Sequence, residues 1–278
     1  MALMRLPEGR RRGRGRLWLA VGLVCAVGTA LVGGARLEGS GGRGRIIVAA
    51  RVPAAPRAVG PGTAELHRLI AKNAALFSGS AKGRVVALTF DDGPGLYTAR
   101  IVTTLRRLKV PATFFEIGEQ ISSYRTLVAN MVKWGFVIGD HTWTHPDLEL
   151  LSAAQVNNQV AWTAHLITKI SGEHVQLIRP PYGAQDARIR TLVGRLGLLS
   201  VLWNIDTRDW SLPGTPAIVA SALAVRPGGI ILMHDGGGPR GETLAALPAI
   251  VRGLRTRGFH LVTIPELLAI APPTHLQD

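Results

Sequence analysis

Cysteine is nearly absent from this chain. Its 278 residues contain one, Cys25, so no disulfide within the chain can brace the fold. Cys25 sits in the middle of an apolar run with Val24 before it, which disfavours a lipid-modified cysteine and reads as a small hydrophobe. Acidic residues are also scarce, 18 against 32 basic, for a net charge of +14. Such an excess suits nucleic acid when it forms a basic face. Here eleven arginines and two glutamates in residues 1–60 place +9 of it in the first fifth of the chain. Basic and aromatic residues do not interleave, and no RNA- or DNA-binding motif accompanies the charge, so nucleic acid is not expected as a partner. No internal sequence repeat is visible. A glycine-rich phosphate loop is missing too, because Asp91-Asp92-Gly93-Pro94-Gly95 offers carboxylates where a nucleotide would need backbone amides.

What is present begins with a targeting pattern. Arg5, Arg10, Arg11, Arg12, Arg14 and Arg16 precede an uncharged stretch from Leu17 to Ala35. As a helix at ~1.5 Å per residue it is about 28 Å long, close to a hydrocarbon core of roughly 30 Å. The basic flank marks the cytoplasmic side. A cleaved signal peptide fits the small-residue ending Gly33-Gly34-Ala35, and an uncleaved signal anchor fits the length. Both put the remainder outside the cytoplasm, membrane-anchored or secreted. The expected organisation is residues 1–35 as basic N-terminus and signal or anchor, 36–80 as a Gly-, Arg-, Ala- and Pro-rich spacer with a short helix within 63–77, 81–271 as one catalytic domain, and 272–278 as a tail.

From residue 84 onward, strand-like and helix-like segments alternate. Strands are expected at 84–90, 112–116, 136–139, 175–179, 199–205, 229–233 and 259–263. Helices are expected at 98–109, 122–134, 152–171, 186–196, 215–225, 243–257 and 265–270. Ser152 reads as a helix N-cap, and Gly172 and Gly258 as C-terminal stops. With 47% apolar residues the chain can bury a large core. Short apolar strands alternating with amphipathic helices imply right-handed βαβ units and a parallel sheet. Seven units suggest an incomplete (β/α) barrel, with an open doubly wound sheet as the alternative.

Polar clusters follow five of these apolar runs, and a parallel barrel gathers its strand ends on one face. Asp91 and Asp92 are adjacent, so strand alternation points them apart; one is free to bind metal and the other to handle protons. His141 and His145 are four residues apart, and Pro146 favours a loop or last-turn geometry there. Asp92 with the two histidines makes a set of two nitrogens and one oxygen, which leaves a fourth position open, as a catalytic zinc site requires. Arg179, before Pro180-Pro181, is placed to hold a carboxylate by charge-assisted hydrogen bonds, and the following turn aims the Tyr182 N–H as an oxyanion donor. Asp209 suits an orienting role toward Arg179 or a histidine. Trp210 offers an apolar face for a sugar ring. His234 is a candidate general acid, with an ordinary pKa near ~6.5.

Thr89-Phe-Asp-Asp-Gly-Pro94, His141-Thr-Trp-Thr-His145, Arg179-Pro-Pro-Tyr182, Asp206-Thr-Arg-Asp-Trp210 and Leu232-Met-His234 resemble, in order, the five motifs of polysaccharide deacetylases with a NodB-homology domain, carbohydrate esterase family 4. Ala112-Thr-Phe-Phe115 and Val262-Thr-Ile-Pro-Glu-Leu267 add to the likeness, which spans about residues 84–268. The resemblance implies a NodB-like, distorted (β/α)7 barrel that hydrolyses N-acetyl groups on amino sugars of a polysaccharide. It implies Asp91 as general base, and Asp92, His141 and His145 as ligands of Zn2+ or another divalent ion such as Co2+. It further implies Arg179 holding Asp91, the Tyr182 amide on the oxyanion, and Asp209 supporting Arg179 and His234. Trp210 and Leu232 would line the acetyl pocket, and His234 would be the acid. Two positions depart from the family pattern. Glu116 replaces a usually apolar residue. Asp140 stands where Asn is frequent and would add charge near the metal. An O-acetyl esterase acting on a polymer such as acetylxylan would use the same site. A non-catalytic glycan-binding protein would need neither Asp91 nor His234.

Overall fold

The structure is a computed structural model and describes residues 62–274. The apolar stretch at 17–35, the spacer up to residue 61 and residues 275–278 lie outside the described residues. The chain runs through α1 (Thr63–Ala71), β1 (Ala75–Leu76), β2 (Val85–Gly93), α2 (Thr98–Leu108), β3 (Thr113–Glu116), α3 (Gly118–Ser123), α4 (Arg125–Lys133) and β4 (Val137–Asp140). It continues through α5 (Ala153–Ser171), β5 (Leu177–Ile178), α6 (Ala187–Arg195), β6 (Leu199–Val201), β7 (Ile205–Asp206), α7 (Thr215–Leu223), β8 (Ile230–His234), α8 (Gly241–Thr256), β9 (His260–Val262) and α9 (Ile264–Ile270).

These strands form one parallel sheet in the order β1-β6-β5-β4-β3-β2-β8-β7, and β9 pairs with the start of β2. The apolar run 199–205 divides into two strands. β6 pairs with β5 and β1, whereas β7 pairs with β8 at the other end of the order. Residues 202–204 step across between them: Leu202 N–H donates to the Leu76 carbonyl and Asn204 N–H to that of Ile230. An isolated antiparallel bridge between Ser78 and Gly229 joins the same two edges. The sheet is therefore curled toward closure, as the distorted (β/α) barrel requires and an open doubly wound sheet does not.

Strand alternation decides which side chains enter the barrel. In β2, Val86, Leu88 and Phe90 face outward into a cluster with Ile101 and Leu105 of α2 and Leu247 and Ile250 of α8. Val85 and Ala87 face inward with Phe115, Leu177, Leu199 and Ile230. The inward face continues to Thr89 and Asp91, so a carboxylate follows a buried apolar series by periodicity alone. Helix boundaries follow local chemistry. Ser152 and Gln155 form a capping box at the start of α5, and Gly172 ends it in a left-handed conformation with φ 76°.

The expected domain boundary at residue 81 falls inside the folded unit. The helix anticipated over 63–77 stops at Ala71, and Ala75–Leu76 instead extends the sheet. Leu66 and Leu69 of α1 and Ile264, Leu267 and Leu268 of α9 pack into the inner cluster with Val85 and Val262. The two helices thus seal the end of the barrel where β2 begins and leave the opposite end for chemistry. Leu69 is fully buried, so Leu69→Ala is expected to cost about 2–5 kcal/mol in chemical denaturation. A loss under about 1 kcal/mol would show that α1 is not part of the core.

Candidate active site

At the open end, β2 and β8 lie in register with Asp91 opposite His234. β2 is bulged between Asp91 and Gly93, and Asp92 takes a left-handed conformation with φ 71°. The bulge and turn set the two adjacent carboxylates against different partners, Asp91 against Arg179 and Asp92 against His141 and His145. Thr142, His145 and Tyr182 are also left-handed, at φ 69°, 61° and 61°. Non-glycine residues in this region store strain, and here they gather around one point.

Arg179, at the end of β5, is completely buried. Its Nη1 donates to Asp91 Oδ1 at 2.7 Å and Thr89 Oγ1 at 2.9 Å, its Nε to the Val201 carbonyl at 3.0 Å and its Nη2 to the Leu202 carbonyl at 3.0 Å. The guanidinium also lies 4.3 Å from the centre of the Phe115 ring and 5.5 Å from that of Trp203. Burial lowers its pKa, against the opposing charge and hydrogen bond of Asp91. Asp91 is held through Oδ1, and its Oδ2 points toward His141 Nε2, 3.9 Å away.

Asp92 Oδ1 lies 3.3 Å from His141 Nε2 and 3.2 Å from His145 Nε2. One ligand atom from each of these residues falls within 4.8 Å of the others. Burial opposes a charge on Asp92, but the hydrogen bonds to His141 and His145, with the charges of His141 and His234, outweigh it and hold the carboxyl well below its ordinary range. His141 Nδ1 is 2.6 Å from the Arg179 carbonyl. That oxygen only accepts, so Nδ1 carries a proton and Nε2 is the nitrogen that faces Asp92. Two imidazole nitrogens and one carboxylate oxygen converging on one point fit a divalent ion of the zinc type.

Across the site, His234 Nδ1 donates to Asp209 Oδ1 at 2.7 Å, and its backbone N–H donates to Asp209 Oδ2 at 2.9 Å. Thr243 Oγ1 donates to the same Oδ2 at 2.6 Å. Burial on its own would lower the His234 pKa, but the hydrogen bond and charge of Asp209, with Asp91 and Asp92 beyond, raise it above 6.5. Of the two partners expected for Asp209, the hydrogen bonds select His234; the Arg179 guanidinium donates instead to Asp91, Thr89, Val201 and Leu202.

Pro180 and Pro181 lead into a tight turn that leaves the Tyr182 ring 70% exposed. Its edge meets the His145 ring at a centroid distance of 4.7 Å. Trp210 is half exposed, with the Arg208 guanidinium 5.9 Å from its ring centre. Leu232 is buried in β8 opposite Thr89 of β2 and Asp206 of β7. Beside Asp92 a groove of about 560 Å³ opens between Leu96, Tyr97, Tyr124 and the turn at Gly236–Gly238.

Other residues of the site carry little signal in the sequence. Thr243 lies in α8, Phe115 and Trp203 look like ordinary core residues, and Thr89 looks like a strand residue. The two unusual acids prove to be buried. Asp140 accepts the Thr142 N–H at 2.7 Å, and burial pushes its carboxyl well above the ordinary range. That burial works against the charge it was expected to add near the metal. Glu116 and Asp235 flank Gly93 so closely that a Cβ there would collide with both carboxyl groups. Burial raises both, Glu116 well above its usual value and Asp235 to about 7, with Asp91 and Asp92 adding to the effect.

Comparison with known proteins agrees with this geometry. Residues 78–201 match the family model described as polysaccharide deacetylase. The chain is 40% identical over 194 residues to a chitooligosaccharide deacetylase of Sinorhizobium fredii, covering 65% of this chain and 90% of that protein. It is 34% identical over 201 residues to a peptidoglycan-N-acetylglucosamine deacetylase of Bacillus cereus, covering 71% and 73%. The crystal structure of the Bc1960 peptidoglycan N-acetylglucosamine deacetylase, in complex with 4-naphthalen-1-yl-N-oxidanyl-benzamide, superposes with a TM-score of 0.70 at 32% identity, covering 74% of this chain and 97% of that one. The chain belongs to the polysaccharide deacetylase family, carbohydrate esterase family 4. Its class is hydrolase, of the deacetylase kind.

A pH titration of the imidazole by NMR on metal-free protein tests the His234–Asp209 pair. His234 is expected to lose its proton above 6.5, and Asp209→Asn to lower that midpoint. Equal midpoints in the two proteins would rule out Asp209 as the group that raises it.

Proposed function

We propose that this deacetylase removes N-acetyl groups from N-acetylglucosamine units of a cell-envelope glycan of the peptidoglycan or chitin type. The observation that carries the reading is the division of labour around one point. Asp91 is anchored by Arg179 through one oxygen while the other faces the site. Asp92, His141 and His145 converge beside it, and His234 is held by Asp209 in register with Asp91. The names of the Sinorhizobium and Bacillus relatives support this substrate class. The basic segment and apolar run at 5–35 support a position outside the cytoplasm, membrane-anchored or secreted, where such glycans lie.

Asp92, His141 and His145 would hold Zn2+, or Co2+ in its place. When bound, the ion supplies Lewis-acid polarisation of the acetyl carbonyl and a lowered pKa for water. Asp91 Oδ2 takes a proton from the attacking water as the carbon–oxygen bond forms, while Arg179 fixes the carboxylate through Oδ1. Negative charge develops on the former carbonyl oxygen, toward which the Tyr182 N–H donates. Leu232 and Trp210 present apolar surface to the acetyl methyl. As the carbon–nitrogen bond breaks, His234 Nε2 gives its proton to the departing nitrogen, leaving a free amino sugar and acetate. Asp209 keeps the His234 proton available because it stabilises the imidazolium.

Acetate release from N-acetylglucosamine oligomers and peptidoglycan is expected to exceed release from acetylxylan. The reverse order would replace the reading with an O-acetyl esterase. Chelation is expected to abolish activity, and Zn2+ or Co2+ to restore it; full activity after exhaustive chelation would exclude the metal site. Asp91→Asn is expected to reduce turnover by ~10²–10⁴-fold while metal content is retained. Near-normal turnover with the metal bound would remove Asp91 as the base.

A further inference from the structure

The loop that carries His141 and His145 has no regular secondary structure, yet its backbone polar groups are extensively paired. Thr142 N–H donates to Asp140 Oδ1. The carbonyls of Thr142 and Trp143 accept from Gly118 N–H at 2.9 Å and Glu119 N–H at 3.0 Å, at the start of α3. His145 N–H donates to Thr142 Oγ1 at 3.1 Å. Two N–H groups remain, those of Trp143 and Thr144. Both donate to one atom, Gln159 Oε1, at 2.9 Å each, and Gln159 Nε2 donates to Thr144 Oγ1 at 2.9 Å. Gln159 lies on α5, outside all five polar clusters. One turn on, Trp162 packs edge-to-face on Trp143 at 6.2 Å, so α5 grips the same two residues by hydrogen bonds and by contact.

We infer that Gln159 is a positioning residue for metal binding: it locks the Trp143–Thr144 segment and thereby holds His145 at the distance from His141 and Asp92 that an ion needs. The inference rests on the reading of Asp92, His141 and His145 as ligands. The chemistry of the amide suits the task. A single carbonyl oxygen has two lone pairs, enough for both N–H groups, and the NH2 reaches the hydroxyl. An apolar side chain of similar size leaves both N–H donors without a protein partner, the part-buried one of Trp143 and the exposed one of Thr144. His145 and Thr142 both occupy left-handed conformations, which persist only when surrounding contacts over-determine them. Without Gln159 the loop gains freedom, and the ligand set must be ordered each time an ion binds. The loss therefore falls on metal affinity rather than on the chemical step.

The test is the dissociation constant for Zn2+, measured by competition with a chromophoric chelator, together with turnover at saturating Zn2+. Gln159→Leu is expected to weaken Zn2+ binding by about 10- to 100-fold, the range seen when supporting partners of metal ligands are removed. Turnover at saturating Zn2+ should stay close to that of the unsubstituted protein. Gln159→Glu keeps an acceptor for both N–H groups, and the Thr144 hydroxyl is able to donate to it, so affinity should be restored. Thr144→Val, at an exposed position, removes one of the three bonds and should cost about threefold, which keeps the test open if Gln159→Leu does not fold. His145→Ala serves as the reference for losing a ligand. Unchanged Zn2+ affinity in Gln159→Leu, or a Gln159→Glu protein as weak as Gln159→Leu, overturns the inference. Unchanged affinity in His145→Ala overturns the ligand assignment itself, which separates the two failures.

Discussion

One buried guanidinium, that of Arg179, organises the active end of this barrel. An unpaired guanidinium in a protein interior is prohibitive, so its partners must be in place whenever the chain is folded. Arg179 reaches Asp91 and Thr89 on β2, the carbonyls of Val201 and Leu202 where the chain leaves β6, and the faces of Phe115 and Trp203. Its own carbonyl sets the tautomer of His141. The proposed base, a proposed metal ligand and the closure of the barrel are thereby tied to one side chain. The planar fork of arginine meets these directions together, as a lysine ammonium would not.

The second organising feature is how negative charge is distributed. Five carboxyl groups, Asp91, Asp92, Glu116, Asp140 and Asp235, crowd the ends of β2, β3, β4 and β8. Asp91 faces the Arg179 guanidinium, and Asp92 faces two histidines that hold it ionised. Burial raises Glu116, Asp140 and Asp235. On the opposite wall, Asp209 stays low and His234 is raised by their pairing.

Much of this was legible before the fold. The apolar runs at 84–90, 112–116 and 229–233 became β2, β3 and β8 within a residue or two at their starts, and the polar residues after them did converge. Asp92, His141 and His145 converge as a ligand set would, and Asp91 meets Arg179. The run 199–205 was misleading because continuity of apolar residues does not reveal a chain that leaves one sheet edge and joins the other. Ala75–Leu76 was equally opaque, since a two-residue strand has no period to detect. Thr243 and Gln159 act through partners 34 and 15 or 16 residues away, a separation that helical periodicity cannot express.

The order of chemistry-bearing residues along the chain, and their placement after buried strands, determined the kind of site this protein builds, because strand ends of a parallel barrel share one face. Tertiary structure alone decided the states of those residues. Which carboxyls burial raises, whether Asp209 serves Arg179 or His234, and which helix steadies the histidine loop depend on burial and on contacts between distant segments. Those quantities arise when the sheet curls, and local sequence does not contain them.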